Sequence, residues 1–394
     1  MNLSYLQTQY IILTSFMQAF PLFEEQTMRH RGKIMYPRIV IDLSKLKHNA
    51  DTLCKMAEKQ CIADLAFVTK VFCADKMMVC TLSDSSCRYL ADSRIENLAK
   101  YPKTDKQRIL LRLPMISQAD DVVRYSDISF NSERDTLNAL SDAAKRQGTQ
   151  HKVVLMIDMG DLREGVFYRE TEKIYSLAKE IESNPNLILY GTAFNLTCYG
   201  SVLPTRENLT EFLQITNAIE NQIGRKLDFI SGGNSSSIPL LLLGQEDLPF
   251  NNLRLGEALV LGRETAYGQA IDGLCQDIFT LEAEIVEIQD KPSYPIGQIG
   301  MNAFGEKAEY TDLGIRRRAI AAIGRQDMDC EGIAPLLPGV TVVGASSDHL
   351  ILDITDCSAQ LKVHDTVQFR MDYSALLRGF TGGYIHKDYT NIGL

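Results

Sequence analysis

The chain has 394 residues, 45% of them hydrophobic and 23% charged, a composition of globular proteins with length for two domains. Its formal net charge of −9 argues against nucleic acid or an anionic membrane as the main partner. Nine cysteines, an odd count with no C-x-x-C spacing, exclude a disulfide framework and a zinc site of the usual pattern, and no other metal site is expected. They suit the reducing cytoplasm.

Residues 1–34 stand apart. The apolar run from Ile11 to Phe23 is short for a membrane span, has no positive flank before it, and runs into Glu24 and Glu25, so neither a span nor a signal peptide is expected. Domain-like periodicity begins at Tyr36, just after Met35. Residues 1–34 are therefore expected to be a translated leader or disordered tail, with Met35 as the natural start.

Residues 35–43 then read as a strand, and Ser44 as the N-cap of a helix through Lys59. Eight apolar or β-branched runs follow: Asp64–Lys70, Arg88–Asp92, Ile109–Pro114, Asp127–Phe130, Lys152–Asp158, Ile188–Asn195, Leu227–Ser231 and Leu253–Val260. Amphipathic stretches such as Arg134–Gln147, Glu170–Ser183 and Asn208–Ile223 lie between them. This alternation predicts a parallel sheet, and eight units in about 200 residues predict an α/β fold of the (β/α)8 TIM-barrel type over 44–268. From 269 to 394 the runs Ile278–Ile288, Ala319–Ile323, Gly339–Gly344, His349–Ile354 and Thr366–Met371 are parted by turn residues without a long helical period, which predicts a C-terminal β-domain. The strand at 35–43 is expected to join it.

A barrel carries its chemistry at the C-terminal ends of its strands. Lys70 ends the run Leu65-Ala-Phe-Val-Thr-Lys70. A strand-end lysine is commonly a solvated cap, but one emerging from a barrel core can lose its proton and form an imine with an aldehyde. Ser231-Gly-Gly-Asn-Ser-Ser-Ser237 follows the seventh strand, where small residues and hydroxyls before a helix suit a phosphate; a plain strand-to-helix turn is the bland alternative. Arg254 and Gly256 sit at the eighth strand beside that loop, where Arg254 could meet a phosphate or a ring nitrogen, or pair with Glu257. Arg163, after the fifth strand, suits a carboxylate, although a loop arginine is often only a surface group. Asn195-Leu-Thr-Cys-Tyr199 ends the sixth strand and could line a pocket.

Together these residues resemble the alanine racemase superfamily, whose members have a barrel that binds pyridoxal 5'-phosphate followed by a β-domain, and within it the bacterial ornithine racemase group. The resemblance runs from Tyr36 to about Tyr384. It includes Tyr36-Pro-Arg-Ile-Val-Ile-Asp42, Ala91-Asp-Ser-Arg-Ile-Glu-Asn97, Gly160-Asp-Leu-Arg-Glu-Gly165, Gly232-Gly-Asn-Ser-Ser-Ser237, Leu261-Gly-Arg-Glu-Thr-Ala-Tyr-Gly268 and Gly344-Ala-Ser-Ser-Asp-His349. It implies that Lys70 carries pyridoxal phosphate as a Schiff base, and that Asn234, Ser235 and the backbone around Gly256 hold the phosphate. Arg254 faces the pyridine nitrogen, Asn195 takes the place of a ring-facing histidine, and Arg163 lies near the phenolate and the substrate carboxylate. A homodimer with shared active sites is implied, as is a small amino-acid substrate, ornithine or a similar basic one.

The chain departs from the family's pattern where alanine racemases place a second acid/base tyrosine. Arg325, in Ile323-Gly-Arg-Gln-Asp327, stands there; Ala74 replaces a phosphate-binding tyrosine, and Met156 a carbamylated lysine. Racemisation needs proton exchange on both faces of a planar carbanion. Lys70 can serve one face, and Asp327, Asp348, Cys198 and Tyr373 are candidates for the other. Asp327 or Asp348 could also take a substrate ammonium, with an Asx turn as the structural reading of Asp348-His349. Other functional readings are a decarboxylase of basic amino acids and a non-catalytic pyridoxal phosphate carrier, the latter disfavoured by the C-terminal β-domain.

Overall fold

The computed structural model describes residues 34–392 apart from 63, 243–247, 249, 303, 306 and 308. The segment 1–34 expected to be a leader lies, up to residue 33, outside the described residues. From Pro37 onward the chain forms one contiguous unit.

Eight parallel strands close into a barrel: β2 (Asp64–Val68), β3 (Tyr89–Asp92), β4 (Gln107–Leu110), β5 (Ile128–Asn131), β6 (His151–Asp158), β8 (Leu187–Ala193), β9 (Phe229–Ser231) and β10 (Asn252–Leu255). The two-residue strand β7 (Val166–Phe167) pairs only with β6, and β10 returns to β2 with Arg254 opposite Ala66. Both faces of each strand are buried, as expected for a parallel sheet under helices. In β2, Ala66 and Val68 join the inner core while Leu65 and Phe67 pack outward. The inner core is plugged by Tyr89, Phe130, Tyr190 and Phe229, whose rings meet at 5.5–6.1 Å; the two tyrosine hydroxyls share a 2.9 Å hydrogen bond.

The outer helices are cut to length by local signals. The helix at Arg134–Gln147 buries Leu137, Leu140, Ser141 and Ala144, one stripe at 3.6-residue spacing, and ends at Gly148 with φ +66°. The helix at Arg206–Ile223 opens on a Thr205–Asn208 capping box and ends at Gly224. The first helix, α1 (Leu43–Lys59), is capped by Asp42, whose carboxylate accepts from the Lys45 amide, and not by Ser44 as expected. The Ser44 hydroxyl donates to that same carboxylate at 2.7 Å.

A second sheet orders as β13 (Ile333–Pro335), β16 (Thr366–Met371), β11 (Phe279–Pro292), β12 (Ile315–Ala321), β15 (Leu350–Asp353) and β14 (Thr341–Ala345). The N-terminal strand β1 (Arg38–Asp42) lies against β11 antiparallel and against β17 (His386–Thr390) in parallel. Four elements depart from the sequence reading. A helix, Tyr373–Thr381, follows β16 under an Asp372 cap, and β13 and β17 are additional strands. The eighth barrel strand stops at Leu255, because Gly256 turns the chain into a short helix, Glu257–Leu261.

Candidate active site

A cavity of about 990 Å³ opens at the C-terminal end of the barrel, and it collects residues from several strands. Lys70, Arg163, Asn195, Cys198, Asn234, Ser235, Arg254, Gly256 and Tyr373 all line it. Asp327 and Asp348 do not. Asp327 is buried in its own turn, its carboxylate accepting from the Gly324 amide at 2.9 Å. Asp348 is exposed between β14 and β15, bonded to Ser346, Ser347 and the His349 ring, which holds its carboxyl below the usual range. The two turns touch: the Arg325 and Gln326 amides donate to the carbonyls of Ser346 and Ser347.

Lys70 sits just past β2, in the 3-10 turn Lys70–Phe72 and not in the strand itself. The turn is held from several sides. Thr69 donates from Oγ1 to Asp92 at 2.6 Å and shares a hydrogen bond with the Tyr101 hydroxyl; Asp92 also accepts from Asn97 and the Arg94 amide. Burial pushes the Asp92 carboxyl up and these donors pull it back. After the turn, Cys73 and Ala74 both adopt left-handed φ (51° and 56°), which costs roughly 1–3 kcal/mol per non-glycine residue. The strain is fixed by Asp75, which caps the next helix and accepts from the Tyr389 hydroxyl of β17 at 2.5 Å. Phe72 packs edge-on against Phe380 of the Tyr373–Thr381 helix. That helix brings the Tyr373 ring to 5.6 Å from Lys70 Nζ. Burial raises the Tyr373 pKa and the Lys70 ammonium opposes the rise.

Across the cavity, Arg254 is buried with only neutral partners: Ser231 Oγ at 2.5 Å, Phe194 O at 2.8 Å and Asn195 Oδ1 at 3.3 Å. Its guanidinium stacks 5.1 Å from the Phe130 ring, and burial pulls its pKa down to about 10. Asn234 spends its side chain on structure. Its Nδ2 donates to Asn195 Oδ1 and Leu196 O, and its Oδ1 accepts from Ser236 N. Ser235 Oγ accepts from the Ala258 amide at the start of the helix that follows Gly256. The two donors on Asn195 Oδ1 fix that amide, and leave Asn195 Nδ2 buried and without a partner. An orphaned donor, a guanidinium with neutral partners, a serine hydroxyl and an amine in one cavity form a donor set suited to an anionic ligand with a carbonyl group.

Sequence reasoning missed several groups here. Glu164 lines the cavity and pairs with Arg163 through both Nε and Nη2. Burial lowers the Arg163 pKa, but the pairing more than offsets it and the net shift is upward. Glu257 pairs with Arg263 at 2.7 Å, so Arg254 does not pair with Glu257. Asp161 is buried below the Arg163 loop and accepts from the backbone amides of Cys198, Tyr199 and Val202, tying two cavity loops together. That aspartate lies in the Gly160–Gly165 segment, but nothing local to it signals that it anchors a second loop. No three-ligand cluster that could hold a metal occurs among the described residues.

Residues 41–264 match the family model for the N-terminal domain of alanine racemase, more than half of the chain. The chain is 47% identical over 354 residues to ornithine racemase of Acetoanaerobium sticklandii, and 37% identical over 358 residues to lysine racemase of Thermotoga maritima. Each alignment covers 90% of this chain and 99% of the relative. Among solved structures, alanine racemase of Bartonella henselae with covalently bound pyridoxal phosphate superposes with a TM-score of 0.68 at 16% identity, covering 91% of this chain and all of that one. The fold is that of alanine racemase, a closed eight-stranded parallel barrel with an antiparallel C-terminal sheet, and the chain belongs to the alanine racemase family.

Proposed function

We propose that this chain is a pyridoxal 5'-phosphate-dependent racemase of basic amino acids, with ornithine as its first substrate. The observation that carries the reading is the gathering of Lys70, Arg254 and the Ser235–Gly256 cradle around one cavity, in a chain whose relatives act on ornithine and lysine. The orphaned Asn195 Nδ2 and the mixed donor set fit the cofactor. Lys70 would anchor it, the Asn234–Ser235 loop and the Gly256 backbone would take its phosphate, and Arg254, Asn195 and Arg163 would hold its ring. When bound, the cofactor drains electrons from the substrate α-carbon and so acidifies its C–H bond.

The chain's own residues then handle binding and protons. Arg163 keeps Nη1 clear of its ion pair, an edge suited to the substrate carboxylate. Packed rings below the cavity keep water from the barrel interior. Lys70 Nζ moves the proton at the α-carbon on one face. Of the four candidates for the opposite face, Cys198 and Tyr373 share the cavity of Lys70, and we assign the second carrier to this pair. A homodimer is part of the proposal, supported by exposed apolar residues on the connection between β11 and β12 (Ile296, Met301 and Leu313) and at the start of β12 (Ile315). Nine free cysteines suit a reducing cytoplasm, and no helix among the described residues is long and apolar enough to cross a membrane.

The test is chiral chromatography of L-ornithine incubated with purified protein and pyridoxal phosphate. An approach to equal enantiomers is expected; carbon dioxide release instead marks a decarboxylase, and no inversion of any basic amino acid overturns the reading. Lys70→Ala should remove the visible absorption of the bound cofactor. In deuterated water, Cys198→Ser or Tyr373→Phe should block label uptake from one enantiomer only.

A further inference from the structure

A basic amino acid brings two charges beyond its reacting amine: an α-carboxylate and a distal ammonium. The cavity has three acids to offer. Glu264 is buried and committed to the backbone amides of Ala266, Tyr267 and Gln269. Glu257 follows Gly256 at the phosphate cradle and is held by Arg263. Glu164 remains, with its side chain 21% exposed, and its one ion pair is with Arg163.

We infer that Glu164 is the specificity-determining residue that receives the distal ammonium of the substrate. The inference rests on the racemase reading above. Arg163 and Glu164 are chain neighbours that turn opposite charges into the same cavity, and Glu164 occupies only the Nε and Nη2 side of the guanidinium. A carboxylate arriving at Nη1 makes Arg163 serve two anions, which leaves the trio one negative charge in excess. The ammonium of ornithine restores neutrality beside Glu164. A substrate with a neutral side chain cannot, so the same pair that admits the carboxylate discriminates by side-chain charge. Neither Asp327 nor Asp348 lines this cavity.

The experiment compares ornithine with norvaline, which has the same carbon chain without the distal amine, for kcat/KM and for Kd by calorimetry on the holoenzyme. Glu164→Gln should lower kcat/KM and raise Kd for ornithine by about 10- to 100-fold, while norvaline changes by no more than about twofold. Glu164→Asp, which keeps the charge on a shorter arm, should retain part of the preference and serves if the glutamine variant folds poorly. An equal fall for both substrates would mean that Glu164 only positions Arg163, and would overturn the assignment; so would no change for either. Wild-type protein that inverts neither substrate would instead sink the racemase reading itself.

Discussion

Asp161 offers the sharpest test of how the cavity is assembled. The residue is 1% exposed, and its side chain accepts from Tyr199 N at 2.9 Å and from Cys198 N and Val202 N at 3.3 Å. Glycine is also needed at position 200, since a Cβ there would lie 2.7 Å from the Asp161 carbonyl oxygen. Asp161→Asn keeps the shape but has one oxygen for three donors. The oxygen can serve Cys198 and Tyr199, now without charge assistance, while the new amide faces the Val202 N–H donor to donor. One buried donor left unmet costs about 1–3 kcal/mol, and weakening two charge-assisted bonds adds about 1 kcal/mol, for roughly 2–4 kcal/mol in all. The cost falls on the 196–202 loop, so hydrogen exchange of its amides is the assay. Exchange of Cys198, Tyr199 and Val202 should accelerate roughly 30- to 700-fold if the loop opens locally, since each 1.4 kcal/mol is tenfold. Unchanged protection of those three amides would refute the idea that Asp161 holds the loop.

The remaining predictions concern the scaffold. His151 is buried with its ring against Ser129 Oγ at 2.8 Å, and burial pushes its pKa from 6.5 down to about 4. The unfolded chain therefore binds a proton that the folded chain refuses between those values; stability present above pH 6.5 is lost on the way down to pH 4, by about 3 kcal/mol. Urea midpoints from pH 7 to 4 should show a shallower acid loss in His151→Gln, and superimposable curves would count against it. Gly191→Ala places a Cβ 1.8 Å from the Phe229 carbonyl oxygen, forcing β8 and β9 apart, and should cost at least about 3 kcal/mol in melting experiments. Tyr389→Phe removes the hydroxyl bound to Asp75 and should destabilise the fold by about 1.5–3 kcal/mol, measured the same way.

Much of the fold was legible because its signals are local. Buried parallel strands show as apolar runs, and Thr366–Met371 in the second sheet matches its strand to the residue. The eighth barrel strand was overrun because Leu253–Val260 is one apolar run, and a doubly buried strand and the buried helix after it look alike. The Tyr373–Thr381 helix had an Asp cap and apolar spacing, but it is short and carries Gly379, which packs against the Ile39 side chain. At the cavity, strand-end placement brought out Lys70, Arg254 and Ser235. Glu164 and Asp161 flank Arg163 in the Gly160–Gly165 segment, but their roles were invisible for a different reason: a carboxylate in a loop looks solvated until tertiary structure shows what it meets. The proximity of Tyr373 to Lys70 likewise depends on a helix some 300 positions away in the sequence.

The strand β1 has a consequence for how the molecule can be made. It is the first described strand to leave the ribosome, yet its partners are β11, some 240 residues later, and β17 at the far end. Barrel strands pair largely with near neighbours in sequence and can assemble as they emerge, whereas Arg38–Asp42 must wait with both edges open until β11 emerges, and with one edge open until β17 does. The waiting strand is short and apolar at Ile39 and Ile41, which makes it the segment for a chaperone to shield. It also means that cutting the gene between barrel and sheet leaves one strand on the wrong fragment: the C-terminal piece would lack the strand that bridges β11 and β17, and should fold only when a peptide spanning Arg38–Asp42 is supplied.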